Sequence, residues 1–320
     1  MAEATEAKRG RRAENPSDIP TKGWRDVLWR LWTGLFEDNI PLVAGGVTFY
    51  LLLALVPSLT AFVSLFGLVA DPGTISLYVA SLQGVLPSDG IELIQDELDA
   101  LLSQDTGRLT FGFLFSYGFA LWITNNAVKA LIGALNIAYD EVERRSFLKF
   151  TLVSLAFTLA GMAAAVIMLT AVAAVPVTLA ALGATQADLA LLQLLRWPVL
   201  LLVIALGLAV LYRYGPSRAD PRWRWVTWGS ALATGVWIAA SVAFTIYLEN
   251  FANYNAMYGS LGALVGFLFW VWISVLIVIV GAALNAEMEH QTARDTTDPP
   301  EREMGRRGAV VADTLGEAAD

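Results

Sequence analysis

Between Pro41 and Ala70 the chain carries no charged residue. Thirty helical residues at about 1.5 Å each reach roughly 45 Å, beyond the ~30 Å hydrocarbon core of a bilayer. The stretch Phe36–Ala70 therefore reads as a transmembrane helix that is long, tilted or bent. Its apolarity is not uniform. Gly46, Tyr50, Ala54, Pro57, Ala61 and Ser64 follow at steps of four and three and share one face. A stripe of small residues containing a proline suits contact with other helices or with a path. Gly45 and Gly46 are expected to let a neighbouring backbone approach.

The composition agrees with a membrane protein. Of 320 residues, 56% are hydrophobic and 16% charged, against about 25% charged in soluble domains, and mean hydropathy is +0.57. A net charge of −8 argues against a nucleic-acid partner, which selects a basic face. The chain has no cysteine, so disulfides, thiolate metal sites and cysteine nucleophiles are excluded. His290, the single histidine, lies beyond the last apolar core, which leaves no histidine triad or zinc site within the membrane. No secretory signal peptide is read, because the first apolar run starts near residue 40 and is far longer than an h-region.

Five further spans are expected over about 109–136, 147–175, 189–212, 226–248 and 258–286. With the first, at about 41–70, they make an all-α integral membrane protein of six transmembrane helices, its membrane domain spanning 21–290. Residues 24–36, WRDVLWRLWTGLF, form an interfacial amphipathic helix, with Trp24, Leu28, Leu31 and Leu35 as its apolar stripe and Arg25, Asp26 and Arg30 on the polar side. Asn39 and Pro41 mark the start of the first span. The loop 71–108 is acidic, and within it 91–102 forms a second amphipathic helix. Tails 1–20 and 291–320 are expected to be disordered. With both termini in the cytoplasm, inner segments hold eighteen of the twenty-one lysines and arginines and outer loops hold two, so both termini are expected on the cytoplasmic side by the positive-inside rule.

Four features are candidates for function. The second span places Trp122, Asn126, Lys129, Gly133 and Asn136 on one face. Lys129 reads either as a cationic post in a substrate path or as a snorkelling or paired lysine. The sixth span carries Gly259, Gly262, Gly266 and Gly281, a face for close helix packing or for room beside a moving helix or a substrate chain. The segment 249–258, ENFANYNAMY, reads as an interfacial aromatic belt or a headgroup- or sugar-binding loop. The connection 212–225, YRYGPSRADPRWRW, places Arg213, Arg218, Arg222 and Arg224 at the inner surface, for topology alone or for lipid phosphates. Spans three and four look like featureless outer staves. Spans two and six end alike, in GALN (133–136) and GAALN (281–285), as a duplication relic or a shared helix-end solution. Walker, GxSxG and HExxH motifs and paired intramembrane carboxylates are absent from the sequence, so no cofactor or metal is expected and transport would be passive, ion-coupled or driven by a partner.

The segments FEDNIPLVAGGVTFYLLLALVPSL, ALWITNNAVKALIGALNIAYDEVERRSFLK, LYRYGPSRADPRWRWVTWGSALAT, NFANYNAMYGSLGALVGFLFWVW and GAALNAEMEH together resemble the YihY/virulence factor BrkB family of bacterial inner-membrane proteins, over about 24–290. The resemblance implies a six-helix protein of the cytoplasmic membrane and carries no catalytic motif. Members have borne a ribonuclease BN label, which this sequence contradicts, with its one tail histidine and no metal-ligand cluster. The leading expectation is a non-enzymatic transporter or flippase-like protein for a lipid, amphiphile or small solute. Its path would run between spans one, two and six, lined by Lys129, Asn126, Asn136, Trp122, Tyr50 and Pro57. The alternative is a non-transporting envelope scaffold, and a membrane hydrolase ranks third. The partners expected are membrane lipids, with envelope proteins or a second copy of the chain.

Overall fold

The computed structural model describes residues 9–67, 111–181, 185–250 and 262–319, and among them it is helical, with no strand beyond one isolated bridge, Pro221 to Thr297. The acidic loop with its 91–102 helix, most of 249–258, and Gly259 lie outside the described residues. The helices are α1 (Thr21–Glu37), α2 (Ile40–Gly67), α3 (Phe111–Ala138), α4 (Phe147–Ala181), α5 (Gln186–Tyr214), α6 (Trp223–Asn250), α7 (Gly262–His290) and the short α8 (Val310–Asp313). By length and composition, Phe147–Met168, Trp197–Tyr214, Trp223–Leu248 and Leu264–His290 can each cross a membrane. The pair Thr21–Glu37 and Ile40–Leu55, bent by 61°, makes a fifth span if taken together. The described residues thus support four or five spans where six were expected.

The bundle has a centre and a periphery. α2 packs along α3 and α7, and α7 also packs along α6 and α1. Ile40, Ala44 and Val47 of α2 meet Ala134 of α3 and Val275 and Ile279 of α7 in one buried cluster. α4 packs on α3 and α5 on α6, and both leave long apolar faces exposed, including Leu152, Ile167, Leu202 and Leu206. Exposed faces of that kind are covered by acyl chains in a membrane.

α1 keeps only part of the expected pattern: Trp24, Leu31 and Leu35 pack against buried clusters and Arg25 is exposed, but two of the polar residues turn inward. Gly23, Asp26, Val27 and Arg30 are buried, whereas Leu28, Trp29, Trp32 and Phe36 are exposed. The polar side chains face inward because they have partners there. Asp26 accepts from Arg9 Nη1 at 2.8 Å and from the Ala319 amide at 2.9 Å, and Arg30 reaches Glu287, Gln291 Oε1 (2.9 Å) and the Glu317 carbonyl (2.7 Å). The outward aromatic face still suits the headgroup layer.

Those partners correct the expectation of disordered tails. Residues 9–20 and 291–319 are folded into a cap over the end of the bundle that carries both termini. Arg307 is buried and donates to the carbonyls of Ala293, Arg294 and Ala312. Asp313 accepts the amides of Gly305, Arg307 and Gly308 at 2.7–3.0 Å. Asp295 accepts from Thr297 and from the Arg302 amide at 2.7 Å, and these bonds hold its carboxyl below the usual range although burial opposes them. A polar tail can order itself in this way because each buried charge is paired or hydrogen-bonded.

Candidate functional site

The polar face of α3 does not line a single path. Trp122 is 58% exposed on the outside of the bundle, and Tyr50 on α2 is 45% exposed. Asn126 and Lys129 are half-buried. Lys129 Nζ lies 3.0 Å from Thr151 Oγ1 on α4 and within 5.3 and 5.9 Å of the Phe147 and Phe150 ring centres, so the lysine ties α3 to α4. Its neighbour Asn125 is the buried asparagine, accepting from Thr158 of α4 at 3.3 Å. Pro57 lies inside α2, which continues through it. Between α2, α3 and α7, where a path was expected, there is a cavity of about 280 Å³. Ala54, Leu51, Val128 and Phe267 line it, with Thr48 and Thr124, but none of the six expected path residues does.

The glycines divide in the same way. A Cβ on Gly45 or Gly46 would meet nothing within 4 Å, so close backbone approach is not made there. A Cβ on Gly281 would come within 2.6 Å of Tyr212 Oη and 2.9 Å of the Gly229 carbonyl, and one on Gly229 within 2.1 Å of the Gly281 carbonyl. Gly262 is buried, and a Cβ on Gly266 would make only ordinary contact with Leu248. The tight crossing is therefore α6 against α7, and Gly229 was the residue missed in the sequence.

The two alike helix ends share a chemistry. Asn136 Oδ1 accepts the Ser217 amide at 2.8 Å, and Asn285 Oδ1 accepts the Gly229 amide at the same distance. Both asparagines are buried, and each clamps a helix end to the α5–α6 region. α3 then closes with the Glu141 amide on the Asn136 carbonyl and the Asp140 amide on that of Ile137, with Asp140 at φ +54°. This is a Schellman turn with aspartate in the place usually taken by glycine.

The four arginines of the α5–α6 connection are committed to the protein. Arg213 is buried against Asp298 and the Pro221 carbonyl. Arg218 Nη2 meets Glu289 Oε2 at 2.6 Å with both side chains wholly buried, and its guanidinium sits 4.7 Å from the Tyr139 ring centre. Arg222 Nε donates to the Thr297 carbonyl, and Arg224 to Asn15 Oδ1. The expected headgroup patch is in fact the attachment of the cap.

A groove lies between the two helices that looked featureless. It encloses about 820 Å³ between α4 and α5. Val153, Ala156, Phe157 and Ala160 of α4 and Val210 and Tyr214 of α5 form its walls, while Arg144, Arg145, Ser146, Lys149, Ser217, Arg218 and Asp220 form its rim and Gly308 of the cap closes it. The Schellman turn aims the chain at this rim. Asn136 Nδ2 holds Glu143 at 3.2 Å. Glu143 accepts Arg145 Nε and Nη2, each at 2.7 Å, and Arg145 also donates to the Gly215 carbonyl at 2.8 Å. Burial works against the Glu143 charge, but the Arg145 hydrogen bonds outweigh it and hold the carboxyl down at about 2. Burial pushes the Asp220 carboxyl up, against the pull of Arg213. A sequence signal for the groove was present: Lys149, Val153, Ala156, Phe157 and Ala160 recur at helical spacing below a charged start.

Comparison with known proteins places this architecture. The profile of the family described as virulence factor BrkB matches residues 31–305. The chain belongs to the BrkB family. The family match begins in α1 and runs through α7 into the cap. Among BrkB relatives, the ribonuclease-like protein YfkH of Bacillus subtilis is 30% identical over 205 residues, 62% of this chain and 73% of that protein. A UPF0761 membrane protein of Chlorobium phaeobacteroides is 27% identical over 78% of this chain and 54% of its own length. One from Ralstonia nicotianae is 29% identical over 79% and 56%. The chain thus spans little more than half the length of those two relatives. No solved structure matches it.

Proposed function

We propose that this BrkB-family membrane protein is a flippase-like transporter of an amphiphile, seated in the bacterial cytoplasmic membrane with both termini in the cytoplasm. The observation that carries the reading is the α4–α5 groove, in which an apolar trough between two lipid-facing helices ends at a polar rim. Such a shape accepts a chain along its length and a head at its mouth, and a free polar solute gains little from the trough. The small apolar cavity between α2, α3 and α7 supports the same preference for apolar cargo. The weight of lysine and arginine in segments read as inner supports the orientation. We assign no enzymatic activity. The ribonuclease-like name belongs to YfkH, and here the single histidine is engaged in the cap, its Nε2 3.0 Å from Thr314 Oγ1.

The test is transbilayer movement of a fluorescent phospholipid in vesicles containing the full chain, read by quenching of the outer leaflet. Faster exchange than in protein-free vesicles, lost on filling the trough with Ala160→Trp, is the expected result. Exchange equal to that of empty vesicles removes the transport reading. It would favour the envelope scaffold, for which the cap and the exposed aromatic face of α1 offer surfaces.

A further inference from the structure

We infer that the α4–α5 groove is a site for a lipid with an anionic, phosphate-bearing headgroup, read by Lys149 and Arg144. The inference rests on the amphiphile reading above and names its ligand class.

The charges at the rim decide the point. Four of the residues lining the groove are basic and one, Asp220, is acidic. Arg145 is taken up by Glu143, and Arg218 by Glu289. Arg144 is 67% exposed, and its nearest carboxylate, on Glu141, stands 3.9 Å away, longer than a hydrogen bond. Lys149 is exposed, and among the described residues its ammonium has no partner. Two cations thus stand at the mouth of an apolar trough with little carboxylate to balance them. A neutral head leaves them as they are, whereas a phosphate diester satisfies both.

The geometry suits a lipid better than free phosphate. Lys149, Val153, Ala156, Phe157 and Ala160 lie on one face of α4, so the wall runs about 16 Å from the cation toward the bilayer interior. The lysine sits one turn into the helix at Ser146, whose hydroxyl accepts the Lys149 amide at 3.4 Å. The head therefore rests at the helix start and the chain descends beside it. Lys129 holds α4 from its far side through Thr151, which fixes the wall in position.

The full chain is loaded in vesicles of equal phosphatidylglycerol and phosphatidylcholine, transferred to detergent, and its retained lipid is counted by mass spectrometry. Phosphatidylglycerol should exceed phosphatidylcholine by about fivefold for each cation engaged. Lys149→Gln with Arg144→Gln should bring the ratio to that of the vesicles while total lipid is kept. Lys22→Gln, which removes an exposed cation of α1, a helix that packs on α2 and α7 and does not line the groove, should leave the ratio unchanged. A wild-type ratio equal to the vesicles, or an equal fall with Lys22→Gln, overturns the anionic assignment and leaves the amphiphile reading standing. Val153→Trp and Ala160→Trp fill the trough from different turns, so one misfolded variant leaves the other to decide. If the folded one retains as much lipid as wild type, the amphiphile reading itself falls.

Discussion

Arg218 Nη2 lies 2.6 Å from Glu289 Oε2, and neither side chain has any solvent exposure. The pair joins the α5–α6 connection to the end of α7, and Thr296 of the cap adds a third member by donating to the same carboxylate oxygen at 2.7 Å. Breaking one partner of such a pair leaves an uncompensated buried charge. Arg218→Met or Glu289→Leu alone should each cost about 3–5 kcal/mol. The double variant should recover most of that, measured as thermal unfolding in detergent.

The α6–α7 crossing gives a second prediction. Gly229→Ala places a methyl 2.1 Å from the Gly281 carbonyl and must push the helices apart. Its cost should be about 1–3 kcal/mol or more. Gly45→Ala and Gly46→Ala face open space inside α2 and should be neutral or stabilising by about 0.5–1 kcal/mol. Unfolding curves of the three variants compare the two sites directly.

The cap should resist trypsin. Arg307 is buried, and Asp313 accepts three backbone amides around it. Cleavage after Arg307 in the folded protein should be slow. Asp313→Ala removes charge-assisted bonds together worth about 2 kcal/mol or more and should expose that site. A tail cut equally fast in both forms would contradict the folded cap.

Acid should spare the groove rim until well below neutral. Glu143 has its carboxyl lowered from 4.5 to about 2 in the folded state. A lowered carboxyl contributes stability that is fully present above 4.5 and is lost as pH falls toward 2. Burial raises the neighbouring Glu141 carboxyl, so its sign is opposite: protonation on acidification relieves a cost. Hydrogen exchange over 139–146 should therefore show no loosening between pH 7 and 4.5, followed by loosening below. Glu143→Gln should abolish that low-pH step.

The helices were legible because apolar length and charge-free stretches are local properties. Their predicted limits fall within a few residues of α1 to α7, apart from α4, which runs on to Ala181. What could not be read was partnership. Arg30 and Asp26 read as a polar side, yet both are buried, because Arg30 meets Glu287 and Asp26 meets the Ala319 amide, each more than 250 residues away, with Arg9 as a nearer partner of Asp26. Arg213 to Arg224 formed a basic run by composition, but neutralisation by Asp298, Glu289 and Glu301 depends on how the tail folds back. Lys129 drew attention as a rare intramembrane charge, and its partner, a threonine on α4, carries no sequence signal. The groove escaped because the spacing from Lys149 to Ala160 marks one helix face of ordinary valine, alanine and phenylalanine and does not show what stands opposite it. It becomes a feature only when α4 and α5 stand side by side with Lys149 at the mouth.

The two ends of the described chain are in contact, since the Ala319 amide donates to Asp26, 293 residues earlier, and Arg9 donates to the Ala319 carbonyl. Translation at about 5–20 residues per second separates those two residues by roughly 15–60 s. Throughout that interval α1 lacks its final donor and cannot be clamped. α1 is thus made long before it is locked in place, because the clasp at Asp26 waits for a residue that follows both α7 and α8.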